Sequence, residues 1–139
     1  MAGSKSDYLE NELLDHCLSA ATWTAPATVY IALFTARGTD AQSDANTNFT
    51  EVSGGAYARK DVTNNVANWP VASGGAKANG TVITFATATA SWGTVIAFGI
   101  YDALAAGNLL YWATLTANKT IDSGDTAQFA IGDLDVTED

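Results

Sequence analysis

The run Val29-Tyr-Ile-Ala-Leu-Phe34 is apolar at every position. Short runs with apolar residues on both alternating faces mark strands that are covered on both sides. Such a strand has to lie at the core of its fold, with chain packed against each face. Around it stand further short candidates: Phe49 to Val52, Tyr57 to Val62, Val66 to Trp69, Val82 to Phe85, Val95 to Phe98, Leu109 to Trp112 and Thr126 to Ile131. Turn residues separate them, at Gly54-Gly55, Asn64-Asn65, Trp92-Gly93, Ala105 to Asn108 and Asp122 to Asp125. Turn signals every ten to fifteen residues suit a sandwich or barrel. The expected fold is all-β: an antiparallel β-sandwich, jelly-roll-like, over about residues 27 to 137.

One helix precedes it. Asp7 with Glu10 three residues on resembles an N-terminal cap signature, and Leu9, Leu13, Leu14, Cys17 and Leu18 follow on one stripe. The pattern predicts an amphipathic helix over residues 7 to 19, with Glu10, Glu12 and Asp15 on its opposite face. Its stripe needs a sheet or a neighbouring subunit to dock on. Two stretches read as loops: Arg37 to Asn48, either a tolerated excursion or a contact loop, and Pro70 to Gly80. No repeat, heptad or linker divides the 139 residues, so a single domain over 1–139 is expected.

Charge narrows the partners. Six Lys and Arg against fifteen Asp and Glu give a net charge of −9. Phosphate backbones need clustered cations, and only Arg59 and Lys60 are adjacent here, so nucleic acid is not an expected partner. Charged residues make up 15% of the chain beside 47% hydrophobic ones; soluble proteins carry about 25% charged residues. A weakly charged surface suits a chain that faces other subunits, or an ordinary Ala- and Thr-rich β domain. The start Met1 to Ser6 lacks the apolar run of a signal peptide, and no stretch reaches the roughly 18 apolar residues of a membrane helix. The reading is a soluble chain with no membrane partner and no secretion signal.

The chemistry-bearing residues are few. His16 is the sole histidine and Cys17 the sole cysteine. Adjacent helical residues point about 100° apart, and no other Cys or His completes a metal or nucleophile site. Cys17 is expected to act as a small buried hydrophobe, His16 as a helix-surface or interface residue. Asp122 and Asp125 are the carboxylate pair to weigh for glycoside hydrolysis, against plain turn chemistry. Asp40, Asp44, Asp122 and Asp125 are the candidate Ca²⁺ oxygens, without EF-hand spacing. Gly54-Gly55 and Gly74-Gly75 lack the lysine or helix start of a phosphate loop. No catalytic residue, metal or cofactor is expected. Trp23 and Trp69, each next to a turn or proline, are the aromatics expected at the surface, where flat rings serve interfaces or glycans.

Ser6-Asp-Tyr-Leu-Glu-Asn-Glu-Leu-Leu-Asp-His16, Pro26-Ala-Thr-Val-Tyr-Ile-Ala-Leu-Phe-Thr35, Glu51-Val-Ser-Gly-Gly-Ala-Tyr-Ala-Arg59 and Gly107-Asn-Leu-Leu-Tyr-Trp112 together resemble a family of small tailed-bacteriophage virion proteins, often labelled tail-fibre-like. The resemblance runs from about Ser6 to the C-terminus. It implies a non-enzymatic virion protein, assembled in the host cytoplasm, that oligomerises and binds capsid or tail subunits. The leading expectation is a capsid decoration or cement protein. The alternative is a tail-fibre or receptor-binding module that recognises host-surface glycan. Leu9, Leu13, Leu14, Trp23, Arg37 and Trp69 are the interface candidates.

Overall fold

The computed structural model describes residues 3–38 and 49–138. Its elements in chain order are β1 (Gly3–Lys5), α1 (Asp7–Leu18), β2 (Thr28–Ala36), β3 (Thr50–Glu51), β4 (Lys60–Thr63), β5 (Ala76–Ala78), β6 (Ile83–Thr87), β7 (Gly93–Tyr101), β8 (Leu109–Ile121), β9 (Thr126–Phe129) and β10 (Asp135–Thr137). The main sheet runs β1-β8-β7-β2-β3, with β4 also on β2. Every pairing is antiparallel. Two smaller antiparallel pairs, β6-β9 and β5-β10, complete the structure.

The apolar run forms the middle of β2, as expected. Strand geometry sends alternate residues to opposite faces, and the two sets find different company. Val29, Ile31 and Leu33 pack with Val95, Phe98, Ile100, Leu110 and Ile121 of the main sheet and with Ile83, Phe85, Trp92 and Leu134 from the second layer. Ala32 and Phe34 pack on the other face with Phe49, Ala97, Tyr101, Leu109 and Trp112. The Phe34 and Phe49 rings lie 4.6 Å apart, and Phe49 meets Trp112 edge-on at 5.4 Å. Gly99 makes room for this stack, since a Cβ there would sit 2.7 Å from the Phe34 ring. The all-β, sandwich-like architecture with a leading helix is therefore the one observed.

Several boundaries differ from the sequence expectation. The helix cap is Ser6, whose side-chain oxygen accepts from the Leu9 N–H at 3.2 Å, while Asp7 and Glu10 occupy the first turn. Carboxylates there favour the positive end of the helix dipole. Val66 to Trp69 is no strand: Asn65 Oδ1 accepts from the Ala67 and Asn68 N–H groups (3.0 and 2.9 Å), and the Trp69 N–H donates to the Asn65 carbonyl (2.9 Å). An Asn that caps its own backbone outcompetes a weak strand propensity. The Pro70 to Gly80 loop contains β5, which pairs with β10. β8 runs on to Ile121 through Thr-rich sequence that is exposed from Thr116 to Thr120.

Candidate functional site

A groove of about 440 Å³ opens beside the main sheet. Leu13 of α1, Trp23 and Pro26 of the segment after it, Trp69, Tyr111 of β8, and Lys77, Val136 and Glu138 from the β5-β10 region line it, over a floor that includes Val29, Ile100 and Leu110. The groove is the place where α1, the β5-β10 pair and the main sheet converge.

Local bonding fixes each wall. Ser6 is fully buried; its backbone N–H donates to the Leu110 carbonyl at 2.9 Å and its hydroxyl donates to the Leu109 carbonyl. This pins the start of α1 to β8. At the other end His16 Nδ1 lies 2.9 Å from the Ala21 carbonyl oxygen, so the ring N–H donates there and draws the Ala21–Trp23 segment back against the helix. The Asn65 turn holds Trp69. Asn68, beside it, donates to the Thr63 carbonyl and accepts from the Thr81 hydroxyl, both at 2.9 Å. On the far wall Glu138 pairs with Lys5 and accepts a hydrogen bond from Tyr111. Burial first, and then the Glu138 carboxylate, push the Tyr111 phenol well above its ordinary value.

The structure brings three of the six interface candidates to this groove: Leu13, Trp23 and Trp69. Leu13 and Trp23 are half-buried. Trp69 is only 6% exposed, which corrects the surface position expected of it; the Asn65 turn folds the ring inward instead of leaving it on an open loop. Leu9 is buried under the helix at 2% exposure, whereas Leu14 is 56% and Leu18 81% exposed. The stripe is thus split: one part docks on the chain's own sheet, and the rest stays open. Arg37 lies on the opposite face of the main sheet, its guanidinium 5.7 Å from the Trp112 ring centroid. Of the Arg37 to Asn48 excursion, residues 39–48 fall outside the described residues, and with them Asp40 and Asp44.

Asp122 and Asp125 are not among the residues that line this groove. Asp122 and Asp125 sit on the exposed β8–β9 turn, where Asp125 Oδ2 accepts from the Asp122 N–H at 2.9 Å, the turn role weighed for them. Cys17 is exposed rather than buried, because the helix turns its second half away from the sheet. Among the described residues no cluster of three or more His, Cys, Asp or Glu side chains is placed to hold a metal ion.

One polar constellation escaped the sequence reading. Arg59 forms a two-pronged ion pair with Glu51, Nε to Oε1 at 2.9 Å and Nη2 to Oε2 at 2.8 Å. Its Nη1 donates to the Ala103 and Ala106 carbonyls at 2.9 and 2.8 Å. The Tyr57 hydroxyl donates to Glu51 Oε1 at 2.8 Å and accepts from the Leu33 N–H at 3.0 Å. Burial works against the Arg59 charge, yet the Glu51 carboxylate overrides it and the guanidinium is held above its ordinary value. These bonds tie β2, β3, the approach to β4 and the β7–β8 connection together. All three guanidinium nitrogens donate inside the fold, so the group braces the scaffold. The Glu51-to-Arg59 spacing, two ends of one quoted motif, was the available signal.

The family model described as Podophage GP4 fiber I protein gp80 matches residues 4–137, nearly the full chain. No curated protein matches the sequence.

Proposed function

Because the chain belongs to the podophage GP4 fiber I protein gp80 family, we propose that it is a non-enzymatic structural subunit of a phage fibre, held in place by other virion subunits that dock at the groove. The observation that carries this reading is the groove itself, with Leu13, Trp23 and Tyr111 on its walls and Leu14 and Leu18 exposed alongside on α1. Half-buried aromatics and leucines around a concave apolar surface are what a protein partner buries. A sugar would leave its hydroxyls unpaired against Val29, Ile100 and Leu110, which costs free energy. The groove therefore favours a protein occupant over the glycan of the alternative reading.

The family description as fibre proteins supports a fibre placement over the capsid-decoration role expected from the sequence. The groove suits either, since both need a neighbouring subunit. Immunogold labelling of intact phage with an antibody against this chain tests the placement. Label along fibres is the expected result; label spread over the head would replace this reading with the decoration one.

A further inference from the structure

The groove is one half of a contact, and α1 carries a surface that fits the other half. Leu9 docks on the sheet and Leu13 lines the groove. Successive helical residues step about 100° around the axis, so Leu14 faces away from the groove, whose lining it does not join. Leu18, one turn on, shares the side of Leu14. Both are exposed, as is every residue from Leu14 to Thr22. The result is a leucine ridge on the free half of the helix. Glu10, one turn before Leu14, and Asp15 border it.

We propose that the Leu14 and Leu18 ridge of one copy seats in the groove of the next, so that copies of this chain join head to tail. The proposal rests on the reading of the groove as a docking site for a virion subunit, and it names that subunit as a second copy. Lys77 is the only cation among the residues that line the groove, and Glu138 the only carboxylate. Glu138 is already paired with Lys5 and accepts from Tyr111. Lys77 is exposed and forms no ion pair among the described residues. With six Lys and Arg against fifteen Asp and Glu in the chain, a free lysine at an apolar groove matches an apolar ridge with an acidic border.

Charge also selects this arrangement among those that two copies can make. Groove on groove would bring Lys77 against Lys77, and ridge on ridge would bring Glu10 and Asp15 against their own counterparts. Like charges juxtaposed across an interface cost free energy. Ridge in groove brings the acidic border of α1 to Lys77 instead. An interface whose two halves differ leaves a free ridge at one end and a free groove at the other, so it extends a row of copies or closes a ring. Two leucines in a groove bury less than the roughly 1,000 Å² of a stable interface. The contact is therefore weak between single copies and gains strength from repetition in an assembly.

Sedimentation equilibrium of the full chain, with a ridge variant, Leu18→Asp, and a groove variant, Lys77→Glu, tests it. Both positions are exposed, and unchanged circular dichroism would show that the fold is intact. The wild type should associate reversibly beyond the dimer, with a dissociation constant on the order of 0.1 mM. Each variant alone should associate about tenfold more weakly. An equimolar mixture of the two should recover wild-type affinity and stop at the dimer, because it holds one intact ridge and one intact groove. A wild type that stays monomeric overturns the proposal, and so does association that neither variant weakens or a mixture that recovers nothing. Counting this chain in phage grown with each variant separates that failure from failure of the groove reading. A monomeric wild type whose Lys77→Glu variant is lost from particles would leave the groove as a docking site for a different virion protein.

Discussion

Arg59 sits over Tyr101, its guanidinium carbon 3.6 Å from the ring centroid, while its fork grips Glu51. The Arg59 side chain is 6% exposed and that of Glu51 21%. The charge is therefore stripped of water on one side by a ring and on the other by a carboxylate. A lysine has neither the planar fork nor the stacking face. Arg59→Lys should lower unfolding stability by about 2–4 kcal/mol, read from urea denaturation, and leave Ala103 and Ala106 carbonyls without their donor.

Tyrosine burial sets an alkaline limit. Burial is the largest cause of the raised phenol values of Tyr57, Tyr101 and Tyr111. A group whose value is raised on folding stabilises the native state below its unfolded value, and that contribution fades as pH climbs toward the folded one. Stability should thus hold up to about pH 10, the unfolded tyrosine value, and fall above it by at most about 1.4 kcal/mol per pH unit for each phenol. Denaturation midpoints across pH 8 to 12 should show the decline, and Tyr101→Phe should make it shallower.

Two tryptophans on the same groove should behave differently. Trp69 is buried, and its Nε1 has no hydrogen-bond partner among the described residues. Trp69→Ala should cost about 3–5 kcal/mol through the cavity it leaves. Trp69→Phe sheds an unpaired donor and should cost clearly less. Trp23 is half-buried on the rim, so Trp23→Ala should leave thermal unfolding within a few degrees of wild type and reduce incorporation into particles, measured by mass spectrometry of purified phage.

Asn79 should be one of the least replaceable polar residues. It is 2% exposed; its Nδ2 donates to the Thr81 and Ala130 carbonyls at 2.8 Å each, and its Oδ1 accepts from the Leu134 N–H at 2.9 Å. Leu134, fully buried, is the C-terminal anchor in the core. Asn79→Ala orphans three backbone groups at once. We expect a loss of about 2–4 kcal/mol, and Asn79→Asp to be similarly damaging because the two carbonyls then face a carboxylate.

The parts of the fold legible in the sequence were those with apolar signals. Val29 to Phe34 announced a strand buried on both faces, and the Leu9 to Leu18 stripe announced the helix. What escaped was written in polar residues. Thr114 to Thr120 extends β8 without a hydrophobic residue except Leu115 and Ala117, since an exposed edge needs none. Asn65 turned Val66 to Trp69 from a strand into a capped turn, and with it moved Trp69 from surface to core. The groove was half legible: Leu13, Trp23 and Trp69 were each singled out, but only the fold brings them beside Tyr111 and Val136, which are distant in the chain. Arg59 was only partly legible as a brace: Glu51 stands in the same motif, but its carbonyl partners, at Ala103 and Ala106, carry no side-chain signal at all.

We propose that this chain sits in the fibre, gripped by a neighbouring subunit at the groove of Leu13, Trp23 and Tyr111. Cryo-electron microscopy of the intact phage tests it most directly. Density for this chain is expected within the fibre, with a neighbouring subunit's side chains seated between α1 and the β5-β10 pair. The chain located elsewhere on the particle, or in the fibre with that groove open to solvent, would contradict it.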